Sequence, residues 1–261
     1  MDYEKIPTEE AQQIQNIIEL TRQQMMKRYP SPDKVLRGVH PKDHGCVLAS
    51  FKIDTKLDEL FRVGVFSNPG AEYPCAIRFS NAATTVLPDN PVDKSGKRSP
   101  GSRGMAVKLV NLDSPGKEGF LPVQDFLMVN HPVFAFSNVE DYEVLSKEVF
   151  KNHDHATMTE DASSFFAIQL PRTDAAGVRA ARSLEIVTRI RGGTDKLPAF
   201  QDAPAHPAQN SYFSAAPFLF GDGHVNRVSV WRPSSKDRGV KYRHRNRGCL
   251  YGMFRLENAV S

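Results

Sequence analysis

The chain has 261 residues, 40% of them hydrophobic and 25% charged, which is enough for one large core or two small ones. Its 34 Lys and Arg against 30 Asp and Glu leave a net charge of +4 with no basic tract, so nucleic acid is not an expected partner. No apolar run reaches the length of a membrane span, no signal-peptide pattern or peroxisomal tripeptide is present, and three scattered cysteines lack any C-x-x-C pair, so a cytoplasmic location is expected.

Residues 8–28 read as an amphipathic helix. Thr8 can cap it, Glu9 and Glu10 favour its positive end, and Ala11, Ile14, Ile18 and Met25 recur on one face. Pro30 and Pro32 stop it. An arm is therefore expected over 1–34, packed on the body or on a second subunit of a homo-oligomer. Short strands follow: Val47–Phe51, Cys75–Phe79, Gly104–Val110 and Asp125–Val129, all rich in β-branched and aromatic residues. Residues 139–151 return to a helical period behind Ser137 or Asn138 as cap, and 175–191 predict another helix ended by Gly192-Gly193. Four prolines make 198–223 an expected surface connection, before a strand at Val225–Trp231. Strands first and helices later predict an α+β fold with a mostly antiparallel sheet.

Four segments stand out for chemistry. They are Arg37-Gly38-Val39-His40, Ile77-Arg78-Phe79-Ser80-Asn81, Ser102-Arg103-Gly104-Met105-Ala106-Val107-Lys108, and Asp125 through Asn130-His131-Pro132-Val133-Phe134. His40 and His44 are spaced for zinc on a helix, but Pro41 and Gly45 argue against a helix there. No nucleophile elbow, P-loop or dinucleotide fingerprint is present.

In this order and at these intervals the four segments resemble the catalase-like haem proteins, clearly over about residues 35–137 and loosely to 233. The resemblance is to the small branches that include hydroperoxide peroxidases and allene oxide synthases. It implies a catalase-type antiparallel β-barrel over 35–233, with an N-terminal helical arm and flanking helices. It also implies haem as cofactor, and a reaction with hydrogen peroxide or an organic hydroperoxide. By the same resemblance His40 is the distal proton carrier, and Asn130 the amide that holds the outer peroxide oxygen. Ser80 then bonds the far nitrogen of the histidine, while Arg37, Arg78 and, with less weight, Arg103 contact the haem propionates. Phe134 and Phe136 wall the pocket. Val39 before the histidine leans towards the catalase and peroxidase branches.

The family holds its iron with a tyrosinate in an R-x-x-x-Y motif on a helix. Arg247-Gly248-Cys249-Leu250-Tyr251 has that spacing, with Arg255 four residues on, which makes Tyr251 the expected iron ligand. The interval from Trp231 to Arg247 leaves no room for the strands and helices that the family carries there, so 234–261 is expected to be a divergent basic tail of a truncated C-terminal part. Two other readings accompany the peroxide one. The chain could be a tailoring enzyme on a bulky small-molecule substrate, or a truncated, non-catalytic binding protein.

Overall fold

A computed structural model describes residues 5–29, 36–82, 102–110, 123–131, 134–151, 169–192, 207–214, 218–219, 225–231, 241–243, 249–251 and 253–258. Three helices are described: α1 (Glu10–Arg28), α2 (Val139–Lys151) and α3 (Ala175–Gly192). Ten strands accompany them: β1 (Asp43–Lys52), β2 (Glu72–Asn81), β3 (Arg103–Leu109), β4 (Gln124–Val129), β5 (Tyr212–Ser214), β6 (Phe218–Leu219), β7 (Val225–Trp231), β8 (Lys241–Arg243), β9 (Cys249–Tyr251) and β10 (Met253–Asn258). The chain divides into two compact units. One comprises Met1–Lys42, Asn81–Gly101 and Val133–Ala203, the other Asp43–Ser80, Ser102–Pro132 and Pro204–Ser261.

The first unit is helical. Asn138 caps α2 reciprocally: its Oδ1 accepts from the Asp141 N–H at 2.8 Å, and its Nδ2 donates to Asp141 Oδ2 at 3.1 Å. Asp174 does the same work for α3, accepting from the Gly177 N–H at 2.7 Å. Leu145, Val149, Ala180, Ala181, Leu184 and Val187 form the core between these helices. Arg179 of α3 pairs with Glu140 and, at 3.1 Å, with Asp141. Against expectation, Thr8 does not cap α1; Glu9 occupies the cap position with no side-chain bond. The apolar face read from the sequence is also not the face that is buried, since Ile14 and Ile18 are exposed. Helix α1 packs on α2, where Asn16 Nδ2 donates to Glu143 Oε1 at 2.7 Å, and Gln24 of α1 is buried.

The second unit is an eight-stranded sheet in the order β1-β2-β3-β4-β5-β7-β10, with β6 beside β7, and a separate β8-β9 pair. The described registers are antiparallel. Alternation places Phe51, Cys75, Ile77, Val107, Phe126 and Met128 in one core, where the Phe51 and Phe126 rings stack at 5.9 Å. The described strands form an antiparallel sheet that is not closed: no pairing joins β1 to β10 among the described residues. Strand β5, three residues long, offers two described residue pairs to each of β4 and β7.

One further expectation is not met. The supposed connection 198–223 contains β5 and β6, because Tyr212, Phe213 and Ser214 are buried and need sheet partners for their backbone groups. Within 234–261, β10 runs antiparallel to β7 from Met253↔Trp231 to Asn258↔Asn226.

The core also separates two thiols. Burial pushes the Cys75 thiol from its ordinary value near 9 up to about 11, while Cys46 is exposed. At pH 8 an aromatic disulfide reagent is expected to modify Cys46 rapidly and Cys75 only on unfolding, as read by peptide mapping. Because the folded value is the raised one, the contribution of the neutral thiol to stability is whole below pH 9 and is lost as pH rises towards 11. Equal labelling of both thiols in the native state would contradict this.

Candidate functional site

Arg37, His40, Phe134 and Phe136 belong to the first unit. Arg78, Ser80, Arg103, Asn130 and Tyr251 belong to the second. Each group is built by its own local structure.

His40 lies in a turn between α1 and β1 with φ of 54°, and it is the one non-glycine residue with positive φ among the described residues. A left-handed L-residue costs about 1–2 kcal/mol. The proline that follows adds to this, because it drives its predecessor towards extended backbone. Pro41 is buried, and Lys42 is fixed from both sides of its peptide: its N–H donates to Asn81 Oδ1 at 3.1 Å, and its carbonyl accepts from the Asn81 N–H at 3.2 Å. The half-buried imidazole is thereby held on a strained backbone, while Arg37 is exposed. In the same unit Phe134, Phe136 and Tyr142 form a triad with centroids 6.0–6.4 Å apart, in which Phe134 remains exposed. Burial pushes the Tyr142 phenol upward.

In the second unit Arg78 and Ser80 share one face of β2 by strand alternation. Arg78, opposite Cys46 on β1, is 19% exposed, and its Nε lies 3.6 Å from Asp43 Oδ1. Ser80 is buried opposite Asp43. A register shift between Asp43 and Gly45 lets the Asp43 carboxylate accept from the Gly45 N–H at 2.9 Å as well.

Arg103 and Asn130 are brought together at the ends of β3 and β4. The Arg103 N–H donates to Asn130 Oδ1 at 2.8 Å, and the Asn130 N–H donates to the Arg103 carbonyl at 3.0 Å. Only the carboxamide oxygen can accept from a backbone N–H, so this bond fixes the amide orientation and leaves Nδ2 as the donor end. Arg103 is 2% exposed. Its charge works against burial at Tyr212: burial raises the phenol, and the Arg103 charge and an Asn210 hydrogen bond lower it, with burial dominant. The Tyr212 hydroxyl donates to the Pro207 carbonyl at 2.8 Å.

A further polar pair is not announced by the sequence. His131 is buried, and its Nε2 lies 2.8 Å from Ser102 Oγ, so the residues preceding β3 and following β4 are tied together. The Asn130-His131-Pro132 run carried the signal but reads locally as turn chemistry.

The implied haem can be tested against these groups. Taken unit by unit, the second holds a fixed amide donor at Asn130 and guanidinium groups at Arg78 and Arg103, and the first holds a restrained imidazole at His40, residue types whose chemistry suits a peroxide and carboxylates. The axial side does not fit in the form expected. Tyr251 ends strand β9 and pairs with Lys241, Arg255 lies in β10 opposite Ser229, and Arg247 is outside the described residues. The helical face that Arg247, Tyr251 and Arg255 were expected to share is replaced by strands. The zinc spacing likewise has no helix beneath it: His40 is in a turn and His44 in β1. Among the described residues no group of three His, Cys, Asp or Glu could hold a metal ion, and no helix is long and apolar enough to cross a membrane.

No protein-family model matches the chain, and no curated protein matches it. Among solved structures it is similar to a fungal catalase at 18% identity and TM-score 0.48, over 84% of this chain and 37% of that one. It is similar to catalase A from Saccharomyces cerevisiae at 17% identity and TM-score 0.48, over 88% and 40%. A bacterial catalase gives 16% and 0.46, over 82% and 35%. The chain thus spans well under half the length of each of these proteins.

Proposed function

We propose that this chain acts on a hydroperoxide, either hydrogen peroxide or an organic one, with haem as its cofactor. The observation that carries this reading is His40. The histidine of the Arg37–His40 motif is also the residue on which the turn concentrates its backbone strain, ahead of a buried proline. Strain of this kind persists only where the surroundings over-determine a geometry, and it gathers at functional positions.

Haem, when bound, supplies the ferric iron at which the O–O bond is broken. Cleavage needs one proton moved from the inner to the outer oxygen, and an imidazole with an ordinary pKa near 6.5 can take and return it close to neutral pH. His40 is assigned that proton. Asn130, its oxygen committed to the Arg103 N–H, offers Nδ2–H to the oxygen on which charge develops and does not itself titrate. Arg37 and Arg78 are assigned to the propionates, where a permanent planar cation suits a carboxylate.

The test is a haem titration of the purified protein followed by a peroxide assay. A saturable Soret band at one haem per chain, with peroxide consumption that depends on it, is expected. No Soret band would overturn the proposal. A second reading, a non-catalytic binding protein, is favoured by one observation: strands β9 and β10 stand where the axial helix was expected. Absence of haem binding in a folded protein would select it.

A further inference from the structure

We propose that α1 is a positioning element for His40: it seats Gly38 against Thr21 and Met25 and so fixes the turn that carries the imidazole. The functional half of this inference rests on the hydroperoxide reading of His40, whereas its structural half stands without it.

Gly38 is buried, and a Cβ built on it would lie 2.8 Å from Thr21 Cγ2, 3.1 Å from Met25 Sδ and 3.2 Å from Met25 Cγ. A side chain at this point would therefore force Thr21 or Met25 to shift. Thr21 cannot easily turn aside. Its hydroxyl donates to the Ile17 carbonyl at 2.8 Å, which sets χ1 and aims the methyl at Gly38. Helix α1 is itself moored on α2 by the Asn16–Glu143 bond.

The other end of the turn is held by the two Lys42–Asn81 hydrogen bonds. Only Val39, His40 and Pro41 lie between the seat at Gly38 and the anchor at Lys42. The pyrrolidine ring locks φ at Pro41, so little freedom remains to join the two fixed points. The left-handed φ of 54° at His40 is where the chain meets that demand. Thr21 and Met25 touch no substrate in this account. They act through Gly38 on the direction of the imidazole.

The experiment compares wild type, Gly38→Ala, and Gly38→Ala with Thr21→Ser. The serine keeps the bond to Ile17 while deleting the methyl that the new Cβ would strike. His40 backbone conformation is read by crystallography or by its one-bond Cα–Hα coupling, and the peroxide reaction is followed in haem-loaded protein. Gly38→Ala is expected to take His40 out of the left-handed region and to slow the reaction about 100-fold, as ångström-scale misplacement does. Adding Thr21→Ser is expected to restore both. Should Gly38→Ala fail to fold, Thr21→Ala with Met25→Ala adds no atoms, and it must loosen the His40 turn if α1 holds it. A His40 that stays left-handed in every variant overturns the proposal. So does a Thr21→Ser rescue of thermal stability without rescue of the His40 conformation. If haem-loaded wild type consumes no peroxide, the hydroperoxide reading fails, and the conformation of His40 still decides the role of α1.

Discussion

Replacing His40 by glycine is expected to slow peroxide turnover by roughly 10²–10⁴-fold in haem-loaded protein and, at the same time, to leave the protein more stable than replacing it by alanine does. The two effects have separate causes. Loss of the imidazole removes the group assigned to carry the proton between the peroxide oxygens. Loss of the Cβ relieves a left-handed conformation that costs an L-residue about 1–2 kcal/mol. Glycine gives part of this back through its larger unfolded-state entropy, about 0.5–1 kcal/mol. His40→Ala loses the same imidazole but keeps the strain, so the glycine variant should exceed it in stability by up to about 1.5 kcal/mol, read from urea midpoints at constant slope. Unchanged turnover in the glycine variant would remove His40 from the mechanism. A glycine variant less stable than the alanine one would show that the left-handed turn at φ 54° is not strained.

Asn130 is the second position with a large expected effect, and two substitutions separate its duties. Asn130→Asp keeps an oxygen for the Arg103 N–H at the same place, so stability should change by less than about 1 kcal/mol. It deletes the Nδ2–H donor, and peroxide turnover should fall about 10²–10³-fold, the usual cost of a lost donor to a developing oxyanion. Asn130→Ala abandons the buried N–H of Arg103 as well and should cost about 1–3 kcal/mol. Steady-state kinetics and thermal unfolding on the two variants give the comparison. If Asp turns over like wild type while Ala is merely unstable, Asn130 ties β3 to β4 and does nothing more.

The parts of the fold that sequence made legible are those whose pattern is written locally. Cys75, Ile77 and Phe79 alternate with Ala76 and Arg78, and β2 buries the first set. Asn138 before an acidic first turn announced α2 at the boundary it has. What escaped is set by partners far along the chain. Strand β5 has three residues, all buried, with no alternation to betray it, and its partner Met128 is distant in sequence. At 249–258 the four-residue spacing of Arg and Tyr imitates a helical face, but β7 offers Met253–Asn258 a ladder, and tertiary pairing outweighs local pattern. In α1 the buried side is rotated from the apolar one: Asn16, a polar residue, faces α2 because Glu143 receives it.

The candidate site divides in the same way. Its residue types and order could be read from the chain, and they carried the resemblance. Its geometry could not. Val39-His40-Pro41 reads as extended backbone by both its β-branched residue and its proline, yet His40 is left-handed. One of the two points that hold this turn is Asn81, which binds Lys42 from 39 residues away.

Neither compact unit is a continuous length of chain. Each is assembled from three segments, and the segments alternate, so the polypeptide passes from one unit to the other at 42/43, 80/81, 101/102, 132/133 and 203/204. No single cut can therefore release either unit whole, and neither can be borrowed as a cassette by fusing one stretch of coding sequence to another gene. Insertions that lengthen a crossing leave both units with their parts, while a deletion across any crossing takes material from both. During synthesis the helical unit must wait for α2 and α3, and β4 for β5, before its partners exist, so early segments emerge with apolar surface and strand edges uncovered. Such a chain depends on finishing its translation quickly, or on being held until it does.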